Sequence, residues 1–248
     1  MKLVALASAL ALAACGSSGS GGGTAPPTAP AGSIAAVPPP AGQDWTQTVS
    51  RTAEGFVMGN PQAPIKLVEY GSRLCPTCGA LARDGYQPLT DRYVKTGKVS
   101  FEFREFLVHG AVDVPPALIG TCVGPEPFFA LLEQMFANQE SFEDALQKAP
   151  PATQQRIDAA PVATRFKLMG DAMGLTAFVQ ARGVPAATAA ACLTDTKRID
   201  ALTKQTQDKG PGGDGTVSGT PTLLLNGRVA DGVITWPALD AALKRAGA

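Results

Sequence analysis

Residues 65–79, IKLVEYGSRLCPTCG, decide the fold of this chain. The apolar run over residues 65–70 is typical of a buried β-strand, and the small residues Gly71 and Ser72 bound it. The letters CPTC at 75–78 then predict the start of a helix, because proline suits the first helical position, where its missing N–H costs nothing. The stretch therefore predicts a strand that leads into a helix with two cysteines in its first turn.

The two cysteines have the layout of a reactive dithiol. Cys75 is expected at the N-cap of the helix, where unpaired backbone N–H groups and the positive end of the helix dipole face its sulfur. That environment favours thiolate over thiol and lowers the pKa of Cys75. Cys78 follows after Pro76 and Thr77, on the same helical turn and close enough to bridge. The sequence predicts a pair that cycles between dithiol and disulfide, with Cys75 as the accessible thiol.

Three other interpretations of the pair stay open. It could be half of a zinc site, but such a site needs four ligands, and the chain has no second CxxC and a single histidine, His109. It could be a purely structural disulfide, although so short a loop constrains the unfolded chain little. It could be a coincidence, which the sequence downstream argues against. No metal and no cofactor is expected.

The downstream motif is SGTPT at residues 218–222, directly before the apolar run LLL at 223–225. A proline directly before a strand has no N–H and so cannot donate a hydrogen bond to the neighbouring strand. In this context the Thr220-Pro221 bond is a candidate cis peptide, a conformation that is rare in folded proteins and usually retained for a reason.

Together the two motifs resemble the thioredoxin superfamily. The segments GNPQAPIKLVEYGSRLCPTC, KVSFEFREF and VSGTPTLLLNGR, in that order and spacing, resemble more narrowly the DsbA-like thiol–disulfide oxidoreductases of bacteria. The resemblance runs from about Trp45 to the C-terminus and implies an α/β fold, a thioredoxin fold with an inserted helical domain. It also implies that Thr220 and Pro221 line the dithiol and pair with substrate backbone. A quinone-linked membrane partner of the DsbB type would reoxidise the pair.

Glu69 lies six residues before Cys75, in the middle of the apolar strand. Alternation along Ile65, Leu67 and Glu69 places its carboxylate on the same face as two core residues. A buried, unpaired carboxylate is costly and has a raised pKa. The family resemblance implies that an acid here shuttles protons for the deeper cysteine, Cys78. The alternative is an edge position with Glu69 in solvent.

The first residues have the composition of an export signal. A lysine at position 2 precedes an apolar stretch at 3–12, which is too short to span a bilayer as a permanent helix. The stretch ends in Leu-Ala-Ala-Cys, which resembles the lipobox of bacterial lipoproteins, whose cysteine is lipidated and begins the mature chain. Residues 1–14 are therefore assigned to a lipoprotein signal peptide and Cys15 to the lipidation site. The alternative is an ordinary signal peptide cut near Ala14, with Cys15 incidental.

Residues 15–43 consist almost entirely of Gly, Ser, Ala, Thr and Pro. Such a composition cannot bury a core, so a disordered tether is expected. The tether would hold a catalytic domain away from a membrane surface, and the expected location is periplasmic, with a lipid anchor in the membrane.

The remaining chain divides by pattern into three parts. Residues 44–109 and 210–248 carry the strand signals and are assigned to the two parts of a thioredoxin-like domain. Residues 110–209 are assigned to an inserted helical domain, since they are helical in pattern and poor in strand signals. Helices are expected at 76–95, 127–138, 151–173, 185–193, 195–208 and 237–245. Strands are expected at 55–58, 65–70, 99–106, 223–225 and 228–233.

The cysteine count is consistent with this organisation. Five cysteines are an odd number for an exported protein. If Cys15 is lipidated and Cys75 pairs with Cys78, Cys122 and Cys192 remain. Export favours a structural disulfide between these two, and the alternative is a pair of buried free thiols.

The zero formal net charge and the lack of a basic patch give no reason to expect a nucleic-acid partner. The leading interpretation is an enzyme that forms disulfides in exported cysteine-containing proteins. Thr77 stands where strong oxidants of the resembling family often carry a histidine, so a reductase or isomerase is the alternative. A binding module that keeps the fold without catalysis is a third possibility, against which the intact CPTC and Thr-Pro motifs argue.

Overall fold

A computed structural model describes residues 32–248 of the chain. The expected signal peptide at 1–14, the expected lipidation site Cys15 and the first part of the expected tether lie outside the described residues. In the described part the chain forms one six-stranded sheet and ten α-helices. Across the same part, no helix has both the length and the apolar character that crossing a bilayer requires.

The strands are β1 (Val49–Arg51), β2 (Phe56–Met58), β3 (Ile65–Gly71), β4 (Val99–Glu105), β5 (Thr222–Leu225) and β6 (Arg228–Val229). The helices are α1 (Pro76–Leu89), α2 (Val114–Cys122), α3 (Phe128–Phe136), α4 (Gln139–Gln147), α5 (Pro151–Ala159), α6 (Val162–Ala172), α7 (Leu175–Gln180), α8 (Ala186–Leu193), α9 (Thr196–Lys209) and α10 (Trp236–Arg245). Helices α2 to α9 therefore form one continuous helical block in the chain, between β4 and β5.

The sheet has the strand order β1-β2-β4-β3-β5-β6. Strand β3 lies inside the sheet, parallel to β4 on one side and antiparallel to β5 on the other. In this register Tyr70, near the end of β3, pairs with Thr222, the first residue of β5. The loop after β3 and the loop before β5 therefore meet at the same end of the sheet, and these are the CPTC and Thr-Pro loops.

Helix α3 belongs to two hydrophobic cores. One set of its side chains packs between the sheet and helices α1 and α10: Phe128, Phe129, Leu132 and Phe136. The other set packs among α2, α6, α7 and α8: Leu131 and Met135. The helix expected at 127–138 is confirmed, and these apolar side chains lie in the two cores. The helix is buried on two faces because it lies between the sheet and the helical block.

Helix α1 ends at Leu89, short of the expected Lys95. Pro88 lies in its last turn, and residues 90–94 continue as a single π-helical turn. Proline has no N–H for the regular helical hydrogen bond, which accounts for a change of winding next to it. Gly97 follows with φ of +72°, the left-handed conformation in which helices commonly end.

Several expected elements differ from the structure. The single helix expected at 151–173 is two helices, because the residue before Pro161 is extended, as residues before proline prefer. Helices α2, α4 and α7 were not predicted. Strand β6 has two residues rather than six. The turn before it is formed by Asn226 and Gly227, both with positive φ, as is typical of a two-residue hairpin turn.

The end of the segment expected to be a tether lies against the folded domain. The N–H of Ile34 donates to the carbonyl of Gly247 at 2.8 Å, and that of Val37 to the carbonyl of Thr96 at 2.9 Å. The indole of Trp45 donates to the carbonyl of Val37 at 2.7 Å. Residues 34–37 were expected to be part of a disordered tether. Their backbone groups instead form hydrogen bonds with the folded domain.

Candidate active site

The cysteine loop is positioned by the end of β3 and the start of α1. Cys75 is the N-cap of α1, with extended backbone angles, and Pro76 is the first helical residue, as the sequence predicts. The preceding turn is fixed by Ser72, whose hydroxyl donates to Asp113 at 2.7 Å and accepts from the N–H of Leu74 at 3.1 Å. These two hydrogen bonds therefore fix the conformation of the cysteine loop in the turn before α1.

The Cys75 sulfur lies among several hydrogen-bonding groups. The sulfur lies 3.3 Å from the carbonyl oxygen of Thr220, to which the protonated form of Cys75 donates, and it accepts from the N–H of Cys78 at 3.5 Å. Hydrogen bonds from the Cys78 thiol and from the N–H groups of Cys78 and Thr77 outweigh burial and lower the pKa of Cys75 to about 5. Cys75 is thus a thiolate at neutral pH.

Cys78 has the opposite character. Its side chain is fully buried, and burial is the main cause that raises its pKa well above the usual value. Cys75 is only 5 % exposed, so it is less accessible than expected, while Pro76 and Thr77 beside it are exposed. The two thiols are free in the structure. Cys75 and Cys78 are thus both buried, and what distinguishes them is the pKa, which is lowered for Cys75 and raised for Cys78.

Glu69 is fully buried beneath the cysteines, which excludes the edge position in solvent. Its Oε2 accepts a hydrogen bond from the hydroxyl of Tyr86 at 2.8 Å, whereas Oε1 has no partner among the described residues. Burial raises the pKa of Glu69 to about 8 despite the Tyr86 hydrogen bond, and the charges of Cys75 and Glu105 act in the same direction. Glu69 therefore holds a proton at neutral pH.

Tyr86 was not predicted as a site residue. It lies on α1 eight residues after Cys78, so helical periodicity puts both on the buried side of that helix. That spacing is the signal that could have found it.

The Thr220-Pro221 bond is cis, as expected from the sequence. Pro221 is buried, and the Thr220 hydroxyl has no hydrogen-bond partner within residues 32–248. The loop borders a groove of about 450 Å³, whose other wall includes the exposed side chains of Val229 and Ile234. Thr220, which lines this groove, has its carbonyl oxygen 3.3 Å from the Cys75 sulfur.

A buried ion pair that the sequence did not reveal lies behind the cysteine loop. Arg73 and Glu105 are in contact at 2.8 Å, with both side chains almost completely buried. The guanidinium lies over the ring of Phe128, 5.1 Å from its centre. A Cβ atom at position 120 would lie 2.1 Å from the guanidinium carbon of Arg73, which is too close. The glycine at this position of α2 therefore makes space for the arginine side chain.

The other two cysteines form a disulfide within the helical block, the pairing that the sequence favours. Cys122 ends α2 and Cys192 lies in α8, with Cα atoms 5.9 Å apart. In residues 32–248 no three His, Cys, Asp or Glu side chains come together in a group that could hold a metal ion.

Comparison with known proteins gives consistent matches. A family model described as Thioredoxin matches residues 51–245. A Rickettsia bellii protein to which protein-disulfide oxidoreductase activity is ascribed is 25% identical over 174 residues, which are 69% of this chain and 57% of that protein. The chain thus spans little more than half the length of this relative.

Two solved structures resemble the chain over most of their length. The protein-disulfide isomerase from Novosphingobium aromaticivorans is 29% identical, with a TM-score of 0.71 over 78% of this chain and 97% of that one. The α-DsbA1 protein of Wolbachia pipientis shares the fold, with 16% identity and a TM-score of 0.60 over 77% of this chain and 89% of that one.

Proposed function

The chain belongs to the thioredoxin family, with the helical insertion of DsbA-like proteins, and from this premise we propose that it forms disulfides in exported proteins. The observation that carries the proposal is the contrast between two neighbouring thiols. Cys75 is a hydrogen-bonded thiolate beside the Thr220-Pro221 loop, and Cys78 is a buried thiol. In such a pair the substrate reacts at the sulfur of Cys75, and the sulfur of Cys78 takes up a proton when the disulfide is reduced.

The reaction begins from the disulfide form of the pair. A substrate thiolate attacks the sulfur of Cys75, the Cys75–Cys78 bond breaks, and Cys78 leaves and takes up a proton. A second substrate thiolate then attacks the substrate sulfur of the mixed disulfide, and Cys75 leaves as a thiolate. Two electrons pass from the substrate to the protein. The low pKa of Cys75 makes it a good leaving group, which favours oxidation of the substrate.

Glu69 is the proposed source of the proton for Cys78. It holds a proton at neutral pH, and its carboxyl lies close enough to Cys78 to affect the pKa of that thiol. Tyr86 binds Oε2, which leaves Oε1 as the oxygen that exchanges a proton. In the reverse direction Glu69 would accept the proton as Cys78 attacks.

Substrates are expected to bind as extended, cysteine-containing segments of exported proteins. The groove beside Thr220 and Pro221 and the exposed residues Pro76 and Thr77 would contact the substrate around its reacting sulfur. A membrane partner of the DsbB type would take the two electrons from the reduced pair. We place the enzyme in the periplasm, held to the membrane by a lipid on Cys15.

An isomerase or reductase is the second candidate. Thr77 supplies only a backbone N–H to the Cys75 thiolate, whereas a histidine at this position would add a positive charge. The relative from Novosphingobium, with 29% identity, carries the name of an isomerase.

The redox potential in a glutathione buffer separates these functions. A value near about −120 mV would support the oxidase, since that is the potential of DsbA, and one near about −180 mV would support the isomerase. A potential near about −270 mV would indicate a reductase. If the cysteine pair shows no reversible couple, the chain is a binding module and the proposed function is wrong.

A further inference from the structure

A glutamine of the helical block binds the backbone of the cysteine loop. Gln139, the first residue of α4, is 7% exposed. Its Nε2 donates to the carbonyl of Arg73 at 3.0 Å and to the carbonyl of Cys75 at 2.8 Å. Both N–H bonds of one amide are thus used on two carbonyls that flank Leu74. The contact joins parts of the chain that are 64 and 66 residues apart.

The amide also lies tightly against the first turn of α1. A Cβ atom at Gly79 would lie 2.2 Å from the Oε1 atom of Gln139, so a side chain at position 79 would displace the glutamine. The carbonyl of Cys75 accepts a second hydrogen bond from the N–H of Gly79 at 3.0 Å. The carbonyl of the nucleophile is therefore fixed from two sides, by its own helix and by the helical block.

The orientation of that carbonyl matters for the thiolate. The Cys75 sulfur receives hydrogen bonds from the backbone N–H groups of Thr77 and Cys78 only while Cys75 keeps its N-cap geometry. A rotation of the peptide after Cys75 would move these donors away from the sulfur. Glutamine is suited to hold the peptide because it supplies two N–H groups without placing a charge in a buried site.

We propose that Gln139 is a positioning residue for the redox chemistry: it holds the Cys75 carbonyl so that the N-cap donors stay on the thiolate. The inference rests on the proposed function, since it concerns the same sulfur. It makes the inserted helical block a part of the active site through the two hydrogen bonds of Gln139. A structural role alone, the satisfaction of two buried carbonyls, would affect the stability of the protein and leave the thiolate unchanged.

The test compares Gln139→Leu with the matched control Gln154→Leu. Gln154 also donates its Nε2 to a backbone carbonyl, that of Leu146 at 2.8 Å, but both residues lie within the helical block. The pKa of Cys75 is measured from the ultraviolet absorbance of its thiolate, and the equilibrium constant with glutathione from the fraction of disulfide. Gln139→Leu should raise the pKa and shift the equilibrium constant about tenfold toward the protein disulfide, because the Cys75 carbonyl keeps only one of its two hydrogen bonds and its peptide can rotate the N-cap donors away from the sulfur. Gln154→Leu should change neither.

The outcomes separate the inference from the proposed function. If the wild-type protein has a reversible couple and Gln139→Leu leaves both quantities at the wild-type values, the inference is wrong and the proposed function stands. If the cysteine pair of the wild-type protein has no reversible redox couple, the proposed function is wrong, and the inference that rests on it is wrong as well. Should Gln139→Leu not fold, Gln139→Met keeps the length of the side chain without its donors, and unchanged values in that variant overturn the inference equally.

Discussion

At the scale of single residues, the chemistry of the site comes from how each group is desolvated and hydrogen-bonded. Cys75 and Cys78 are the same side chain three residues apart, yet the pKa of one is lowered and that of the other raised. Donors that converge on Cys75 stabilise its charge, whereas Cys78 and Glu69 are surrounded by apolar groups and remain neutral. The site therefore separates a negative charge near the surface from protons in the interior.

The first prediction concerns the mutual dependence of the two thiols. The hydrogen bond from the Cys78 thiol is the largest cause that lowers the pKa of Cys75, so Cys78→Ala should raise that pKa from about 5. Alkylation rates of the remaining thiol, measured against pH, give the value. Wild-type protein in reduced form is the reference, and Cys75 should be alkylated before Cys78. Preferential labelling of Cys78, or an unchanged pKa in the variant, would contradict the assigned roles.

The second prediction concerns Glu69 and pH. Its pKa is about 8 in the folded protein and near 4.5 in the unfolded chain, so folding stability falls as the pH rises from about 4.5 to 8. Glu69→Gln cannot ionise, and its free energy of unfolding at pH 7 should exceed that of the wild type by about 3 kcal/mol, since one pKa unit corresponds to about 1.4 kcal/mol. Below about pH 4.5 the difference should vanish. Urea unfolding at the two pH values measures it.

Glu126→Gln is the matched control for this comparison, because Glu126 is exposed. Its stability should follow that of the wild type at both pH values. A Glu69→Gln variant that gains nothing at pH 7 would show that the carboxyl is ionised in the folded state.

At the scale of elements, α3 and the Cys122–Cys192 disulfide organise the helical block. Helix α3 packs on the sheet with one side and on the block with the other. The disulfide joins α2 to α8 across 70 residues of chain, in the same core as Leu131 and Met135 of α3. The cross-link therefore restrains the unfolded chain over most of the block, and the redox pair lies in a different loop.

The third prediction follows from this separation. Replacing Cys122 and Cys192 together by serine should lower the free energy of unfolding by about 4 kcal/mol, the chain-entropy value for a loop of this length. The equilibrium of Cys75 and Cys78 with glutathione should stay at its wild-type value. Denaturant unfolding and the glutathione titration measure the two effects. Peptide mapping that finds both thiols free in purified protein would remove the basis of the prediction.

At the scale of the whole molecule, the fold places the cysteine loop between the sheet and the helical block. The sheet supplies the Thr220-Pro221 loop from one side, and the helical block supplies Gln139 from the other. Residues 34–37 lie against the fold away from the cysteines, where the N–H of Ile34 donates to the carbonyl of Gly247 near the C-terminus. These four residues are therefore bound to the folded domain, although they fall within the segment whose composition predicts a tether.

The fourth prediction concerns anchoring to the membrane. If Cys15 is lipidated, Cys15→Ser should release the protein into the aqueous fraction of a cell extract, while the wild type stays with the membranes. One acyl chain binds a bilayer only weakly, so stable anchoring requires two or more on this residue. Detergent phase separation followed by mass spectrometry of the N-terminal peptide measures both points. Wild-type protein found in the aqueous phase would count against the anchor.

The sequence by itself determined the features that depend on neighbouring residues. Strand β3, the helix start at Pro76, the N-cap position of Cys75 and the burial of Glu69 follow from local backbone preferences and from alternation with period two. Such signals act within a few residues, so they can be read without knowing the partner. The motifs built from these residues resemble the thioredoxin superfamily, that resemblance implied the fold class, and the family comparison confirms it.

Only the tertiary structure decided which distant groups meet at the cysteines. Neither the contact of Gln139 with Cys75, 64 residues away, nor the pairing of Arg73 with Glu105 has a periodic signal in the sequence. The burial of α3 on two faces and the docking of residues 34–37 likewise depend on where other elements lie. The physical reason is that hydrogen bonds and packing between remote segments are set by the path of the whole chain, which local preferences do not specify.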